Sequence, residues 1–488
     1  MKTKSLLFIA AGLLALTACN DDESPRTNPQ ADDVVLRAHS TTPNFLKTTA
    51  DFASVNVYPI LSSADQLEET PNFVYGSMAD GCGLIYNAQQ ENYSLINNIE
   101  ADYSIARITL DKTFKPVAGE YILNAEATGS TAQCSGSLIT VEEHGFGPLY
   151  LSGGEWGGAS KGVFATEVTK HSSSRMFPEM LTAMGQWSTE NAVAIGKNAY
   201  EDKTVVFIGD DHSDNNTPSG QLGMYVGNRG DLYNGNLYGL KVTTAGINFE
   251  MDMQEGQSYD ATFVQLEEKN IDLLDAEAKA KGVMGFSRLE DIDWRRGDGN
   301  NQREIYFAVT GRKNNALVGK GTQYGRVYKV ELNDTDPTGP AKITCVLDGD
   351  KVGGEAWGFH SPDNILVTEN YAYIQEDPNG YFDDPVRTHY SRLYQYNLAT
   401  GVLKVVLECD QVAAAAAGIG SENSIWEITG MIDISEQVGI DGTFMVVTQN
   451  HGWEPADGSA FTDPNAVSDV SGSTKEGSIL YVLTGLDR

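Results

Sequence analysis

The chain has 488 residues and a formal net charge of −33, from 67 Asp and Glu against 34 Lys and Arg. A surface that acidic repels nucleic acid and anionic lipid, so neither is an expected partner. It also supplies carboxylates for hard cations, although solubilising charge accounts for most of them, and only placement can argue for a metal site.

The chain opens MKTKSLLFIAAGLLALTAC. Lys2 and Lys4 form a positive n-region, and residues 6–16 form an apolar stretch too short to remain as a membrane-spanning helix. Leu16-Thr17-Ala18-Cys19 resembles the lipobox of bacterial lipoproteins, with small residues for the peptidase and a thiol for diacylglycerol. Residues 1–18 are therefore expected to be a signal peptide. Residues 19–45 are expected to be a lipidated Cys19 followed by a flexible tether, polar and rich in Pro, Thr and Asn. This predicts a cell-envelope protein anchored by lipid to the outer membrane, on its periplasmic or its surface-exposed face. Of five cysteines, at 19, 82, 134, 345 and 409, the last four show no CxxC spacing, which excludes zinc-ribbon and thioredoxin-like motifs. Export permits one or two disulfides, with the pairing open.

Residues 46–488 read as one all-β domain with few helices. Apolar-aromatic segments at 204–211, 304–311, 371–380 and 443–452 are each followed by a second at 220–227, 325–332, 391–398 and 477–484. This repeated hairpin with long loop insertions fits a β-propeller, each hairpin being half of a blade. A surface helix is expected at 273–281, and a short helix or packed turn at 413–418.

In a propeller, ligands to a central metal come from loops and strand ends far apart in sequence. Acidic or amide groups sit in such places: Glu142-Glu143, Asp210-Asp211, Glu290-Asp291, Asp363-Asn364, Glu376-Asp377 and Glu427. Carboxylates suit Ca²⁺, and with a thiolate they suit iron. The chain carries no P-loop, HExxH helix or EF-hand loop.

Taken in order, several segments resemble the PhoX-type alkaline phosphatases, a family of exported bacterial enzymes. They include CSGSLITVEEHGFG (134–147), TVVFIGDD (204–211), FSRLEDIDW (286–294), HSPDNILV (360–367), WEITGMIDIS (426–435) and MVVTQNHGW (445–453). The resemblance implies a six-bladed propeller with an iron and calcium cluster in its channel, hydrolysing phosphate monoesters and sometimes diesters. By motif position it nominates Cys134, Glu142 or Glu143, Glu190, Asp211, Glu290 and Glu427 as ligands to Fe³⁺ and Ca²⁺. Glu91, Asp210, Asp363, Asn364 and His451 would support them, and Arg288, Arg312, Arg387 and Arg392 are unranked candidates for clamping phosphate. The expected partner is a small phosphoester, and the expected state a monomer.

The departures are specific. Gln186 and Thr189 stand where the family has Arg and His, and Gln449-Asn450-His451-Gly452 stands for Gln-His-Pro-Gly. An alternative follows from them: a non-catalytic, calcium-stabilised surface propeller that binds a glycan or a protein. A calcium-dependent lactonase or esterase is a third class, disfavoured by the lack of an obvious histidine acid–base pair. The anchor can be tested directly. Cys19→Ser should abolish incorporation of labelled palmitate and release the protein from the membrane fraction.

Overall fold

Branched and aromatic side chains pack well on a pleated, half-buried surface, and the four hairpins expected from sequence form from such segments. Lys203–Asp210 pairs with Leu222–Asn228, Glu304–Val309 with Arg326–Glu331, Tyr371–Glu376 with Arg392–Asn397, and Thr443–Asn450 with Gly477–Thr484. The computed structural model describes residues 33–212, 214–378 and 386–488. Cys19, the signal peptide and most of the expected tether lie outside the described residues. Val34 is already buried against Ile60 and Tyr93, and Val35 donates its N–H to the Thr113 carbonyl. The chain is thus packed well before residue 46, where the domain was expected to begin.

The architecture is all-β and propeller-like, with few helices. Among the described residues its hydrogen bonding resolves into five sheets of three, four, four, five and nine strands rather than six separate ones. The nine-stranded sheet arises because Ser258–Leu266 pairs with Ala341–Asp348 and welds two groups of strands together. The strand Asn56–Ser62 pairs with the last strand, Gly477–Thr484, so the two ends of the fold share one sheet. Asn270 caps the helix Ile271–Lys281, whose Gly282 end adopts a left-handed conformation, and Asp410 caps the helix Gln411–Ala416. Cys82, Cys134, Cys345 and Cys409 are all buried and free, so the permitted disulfides are not made among the described residues.

Six inner strands matter for function: Ala79–Asn87, Thr131–Ile139, Thr189–Ala194, Leu289–Trp294, Pro362–Val367 and Glu427–Asp433. Each contacts the next, and the last contacts the first, closing a ring around a central channel. Pairing of each inner strand with its outer neighbour breaks register once or more, between Ala79 and Cys82, Gln133 and Gly136, Thr189 and Ala192, Leu289 and Ile292, Pro362 and Ile365, and Thr429 and Met431. Such bulges bend a strand and re-aim its side chains. Where the strands converge there is no room for a β-carbon at some positions. One added at Gly81 would lie 2.2 Å from the Gly136 nitrogen, and one at Gly430 would lie 2.4 Å from the Asp80 carbonyl oxygen. Gly81→Ala should therefore destabilise the fold by about 1–3 kcal/mol, since backbone from a neighbouring strand must move. Denaturant unfolding measures this.

Candidate metal centre

Five of the six register breaks span an acid or the thiol, and together the strands bring these groups to one end of the channel. Asp80, Glu190, Glu290 and Asp363 are each the second residue of an inner strand, Glu427 is the first of another, and Cys134 is the fourth of its own. All six line a cavity of about 660 Å³. The strands that follow run antiparallel and return to the same end. They deliver Glu100, Glu155, Asp377 and His451 to the cavity wall, and Asp211 just behind it, sharing a hydrogen bond with Glu155.

Among the described residues, three groups could hold cations: Asp80, Cys134 and Glu190; Glu100, Cys134 and Glu155; and Asp363, Asp377 and Glu427. Within each group the donor atoms lie within 4.8 Å of one another. Like charges that close in a low-dielectric channel cannot all ionise unaided. Burial and then the neighbouring negative charges push the carboxyls of Glu190 and Glu427 well above the usual carboxylate range. Burial, followed by Glu100, Glu155 and Glu190, does the same to the Cys134 thiol, which donates to Glu155 Oε2 at 2.9 Å. A buried Asp363 Oδ1 has no hydrogen-bond partner among the described residues. Hard cations remove this conflict, so the donor set fits calcium, and the thiol among carboxylates fits iron.

Beneath the acids lies an amide and hydroxyl layer. Asn364 Nδ2 donates to Ser135 Oγ at 2.5 Å and to Asp80 Oδ1 at 3.4 Å. Thr429 donates to the same Asp80 oxygen, and Asn191 donates to Asp291, which also accepts from the Ile365 N–H at 3.0 Å. The Ser135 N–H donates to Glu190 Oε1 at 3.2 Å. The Asn364 bonds reach across the ring and the others join neighbouring inner strands, fixing the acids relative to one another.

Of the four candidate arginines, the cavity holds Arg288. Its Nε and Nη2 donate to Asp211 at 3.0 Å each, and Nη2 lies 2.8 Å from Glu290 Oε1. Arg387 is buried elsewhere, donating to the carbonyls of Phe359, Gly349 and Trp357 and stacked 3.4 Å from the Tyr324 ring centre. Arg392 pairs with Glu408, and the half-buried Arg312 does not line the cavity. Glu142 and Glu143 also lie away from the cavity. They sit on the short helix Val141–His144, where Glu142 is exposed and Glu143 faces Arg296 at 3.6 Å. Glu91 occupies an exposed hairpin turn with φ of +51°. Asp210 is buried behind the cavity and accepts from the Ser188 N–H. Sequence reading missed Asp80, Glu100, Glu155 and Glu476. The available signal was an acid one residue into an inner strand, as in Ala79-Asp80, repeated in Thr189-Glu190, Leu289-Glu290 and Pro362-Asp363.

His451 follows the strand Thr443–Asn450, and its Nδ1 lies 2.9 Å from Glu476 Oε2. Burial opposes its charge, but the bond to Glu476 and the charges of Glu476, Asp377 and Glu100 outweigh that and raise its proton affinity.

The profile of the alkaline phosphatase PhoX family matches residues 159–451. The chain belongs to this PhoX family. The fold agrees: the solved structure of Pseudomonas fluorescens PhoX in complex with vanadate, a transition-state analogue, superposes with a TM-score of 0.63 at 13% identity, covering 91% of this chain and 98% of that one. The aldose sugar dehydrogenase of Streptomyces coelicolor (TM-score 0.34, 10% identity, 88% of this chain and 98% of that one) and the Neurospora crassa Pan2 WD40 domain (0.36, 7%, 87% and 95%) are too distant to carry an argument. No curated protein matches the chain.

Arg288 is held from behind in a costly conformation, with φ of +67°. The N–H groups of Ser287 and Thr322 both donate to Glu250 Oε1 at 2.9 Å, and the Arg288 carbonyl accepts from Thr310. Burial pushes the Glu250 carboxyl from 4.5 up to about 7, against the pull of Arg326 and the two amides. A carboxyl raised on folding adds stability that is fully present below its unfolded value and is lost as pH rises through its folded one. Glu250→Gln should match wild type at about pH 4 and exceed it in stability by up to about 3 kcal/mol at about pH 8, measured by denaturant unfolding.

Proposed function

We propose that this protein is a metal-dependent phosphatase that hydrolyses phosphate monoesters, and diesters as well, at an iron and calcium centre in the propeller channel. We further propose that the closed ring of inner strands counts as six blades, two of them fused in the nine-stranded sheet. The mature chain would be held to the outer membrane as a monomer through Cys19. The observation that carries the functional reading is the convergence of acids and one thiol, from all six inner strands, beside Arg288. Family membership supports the reaction class.

Asp80, Cys134 and Glu190 would hold one cation, with Glu100 and Glu155 sharing the thiol, and Asp363, Asp377 and Glu427 would hold another. When bound, such cations polarise a phosphoryl group and acidify water, which no side chain of the cavity does alone. Nε and Nη2 of Arg288 are engaged by Asp211 and Glu290, which leaves Nη1 as the end that meets a non-bridging phosphate oxygen. Asp211 and Glu290 thereby fix the guanidinium before substrate arrives, which lowers the ordering cost on binding. The bonds of the layer below hold Asp80, Glu190 and Asp291 in place.

Glu290→Gln tests the reading, because Glu290 lines the cavity, would serve as the metal ligand that its motif position nominates, and holds Arg288. In the purified soluble domain, turnover of p-nitrophenyl phosphate should fall by roughly a hundredfold or more, and iron content by mass spectrometry should fall with it. Unchanged iron and rate would remove Glu290 from the site. A colourless wild type that holds calcium alone and turns over neither a mono- nor a diester would favour the binding-protein alternative.

A further inference from the structure

Among the described residues, the cavity wall offers two side chains able to carry positive charge, Arg288 and His451. They differ in how they are held. Arg288 is pinned by two carboxylates and suits a static clamp. His451 is oriented by one: its Nδ1 lies 2.9 Å from Glu476 Oε2, and Nε2 has no hydrogen-bond partner among the described residues. The other Glu476 oxygen accepts the Gly452 N–H at 2.9 Å, so the carboxylate is fixed by the residue next to the histidine it orients. A carboxylate that takes Nδ1–H sets the tautomer and leaves Nε2 to exchange protons. His451 stands one place later than the histidine of the pattern it resembles, after the strand Thr443–Asn450 has ended, and so lies in the cavity wall.

We propose that His451 is a catalytic acid whose Nε2–H protonates the leaving alcohol oxygen, with Glu476 as its positioning residue. The proposal rests on the phosphatase reading above. Water adds to phosphorus and gives up its proton to solvent. The P–O bond to the alcohol breaks with its electron pair on that oxygen, and the oxygen takes the proton from Nε2 to leave as ROH. Phosphate departs, and the imidazole regains a proton from solvent. Such assistance matters for alkyl esters, whose alkoxide is a strong base, and hardly at all for p-nitrophenyl phosphate, whose anion leaves unprotonated. The structure thus points to esters of ordinary alcohols as the substrates this site is built for.

The test uses the iron- and calcium-loaded protein and compares glycerol 2-phosphate with p-nitrophenyl phosphate in wild type, His451→Ala, His451→Gln and Glu476→Gln. For both His451 variants kcat/KM on the glycerol ester should fall roughly 10²–10³-fold, while the aryl ester changes by less than about tenfold. Glu476→Gln should show the same selectivity with a smaller loss. Metal content by mass spectrometry should match wild type throughout. Equal losses on both esters, no loss on either, or loss of metal from both His451 variants would overturn the assignment. A wild type that turns over neither ester would instead defeat the phosphatase reading, and the inference with it.

Discussion

Charge repulsion in a low-dielectric channel is the constraint around which this molecule is organised. An isolated buried carboxylate is costly, and several within a few ångströms of one another are worse. The fold nonetheless aims Asp80, Glu190, Glu290, Asp363 and Glu427 at one cavity, along with the Cys134 thiol. It tolerates this because the positions are set by the backbone. Each acid sits where an inner strand begins, and the sheets behind these strands are closed by buried apolar clusters. The stability for gathering the charges comes from packing between sheets, and the cavity takes its shape from that packing. Cations are what such an arrangement is fitted to receive.

Arg288 is the local answer to the same constraint. A single guanidinium cannot neutralise the cavity, but tied to Asp211 and Glu290 it occupies one side of the wall and leaves the rest to metal. Its left-handed backbone shows how tightly the surrounding loop dictates its place. Glu250, buried and remote in sequence, holds both that loop and the loop at Thr322 through one oxygen. The order of dependence runs from a buried structural carboxylate, to a strained loop, to the residue that would meet substrate.

Much of this was legible in the sequence. The four hairpins could be read because they are the central strands of their sheets, where apolar periodicity is strongest. The family resemblance led to Cys134, Glu190, Glu290 and Glu427, all of which line the cavity. What failed was direction. Glu142 and Glu143 follow an inner strand, Thr131–Ile139, and an inner strand ends at the mouth of the channel opposite the acids. Asp211 and Asp377 follow second strands, which run back towards the cavity. Glu100 and Glu155 obey the same rule and were overlooked because strand order within a blade cannot be read from apolar periodicity. A glutamate pair after a strand therefore means opposite things, depending on whether that strand is first or second in its sheet.

The pairing of Asn56–Ser62 with Gly477–Thr484 bears on how the protein matures. Glu427 and His451 belong to the sheet that this pairing completes, while the acids facing them come from strands made much earlier in the chain. No single strand owns a whole candidate shell: Asp80, Cys134 and Glu190 come from three successive inner strands. Any affinity for cations would then depend on neighbouring strands holding their places, and the pairing of the first and last parts of the fold closes the ring that fixes those places.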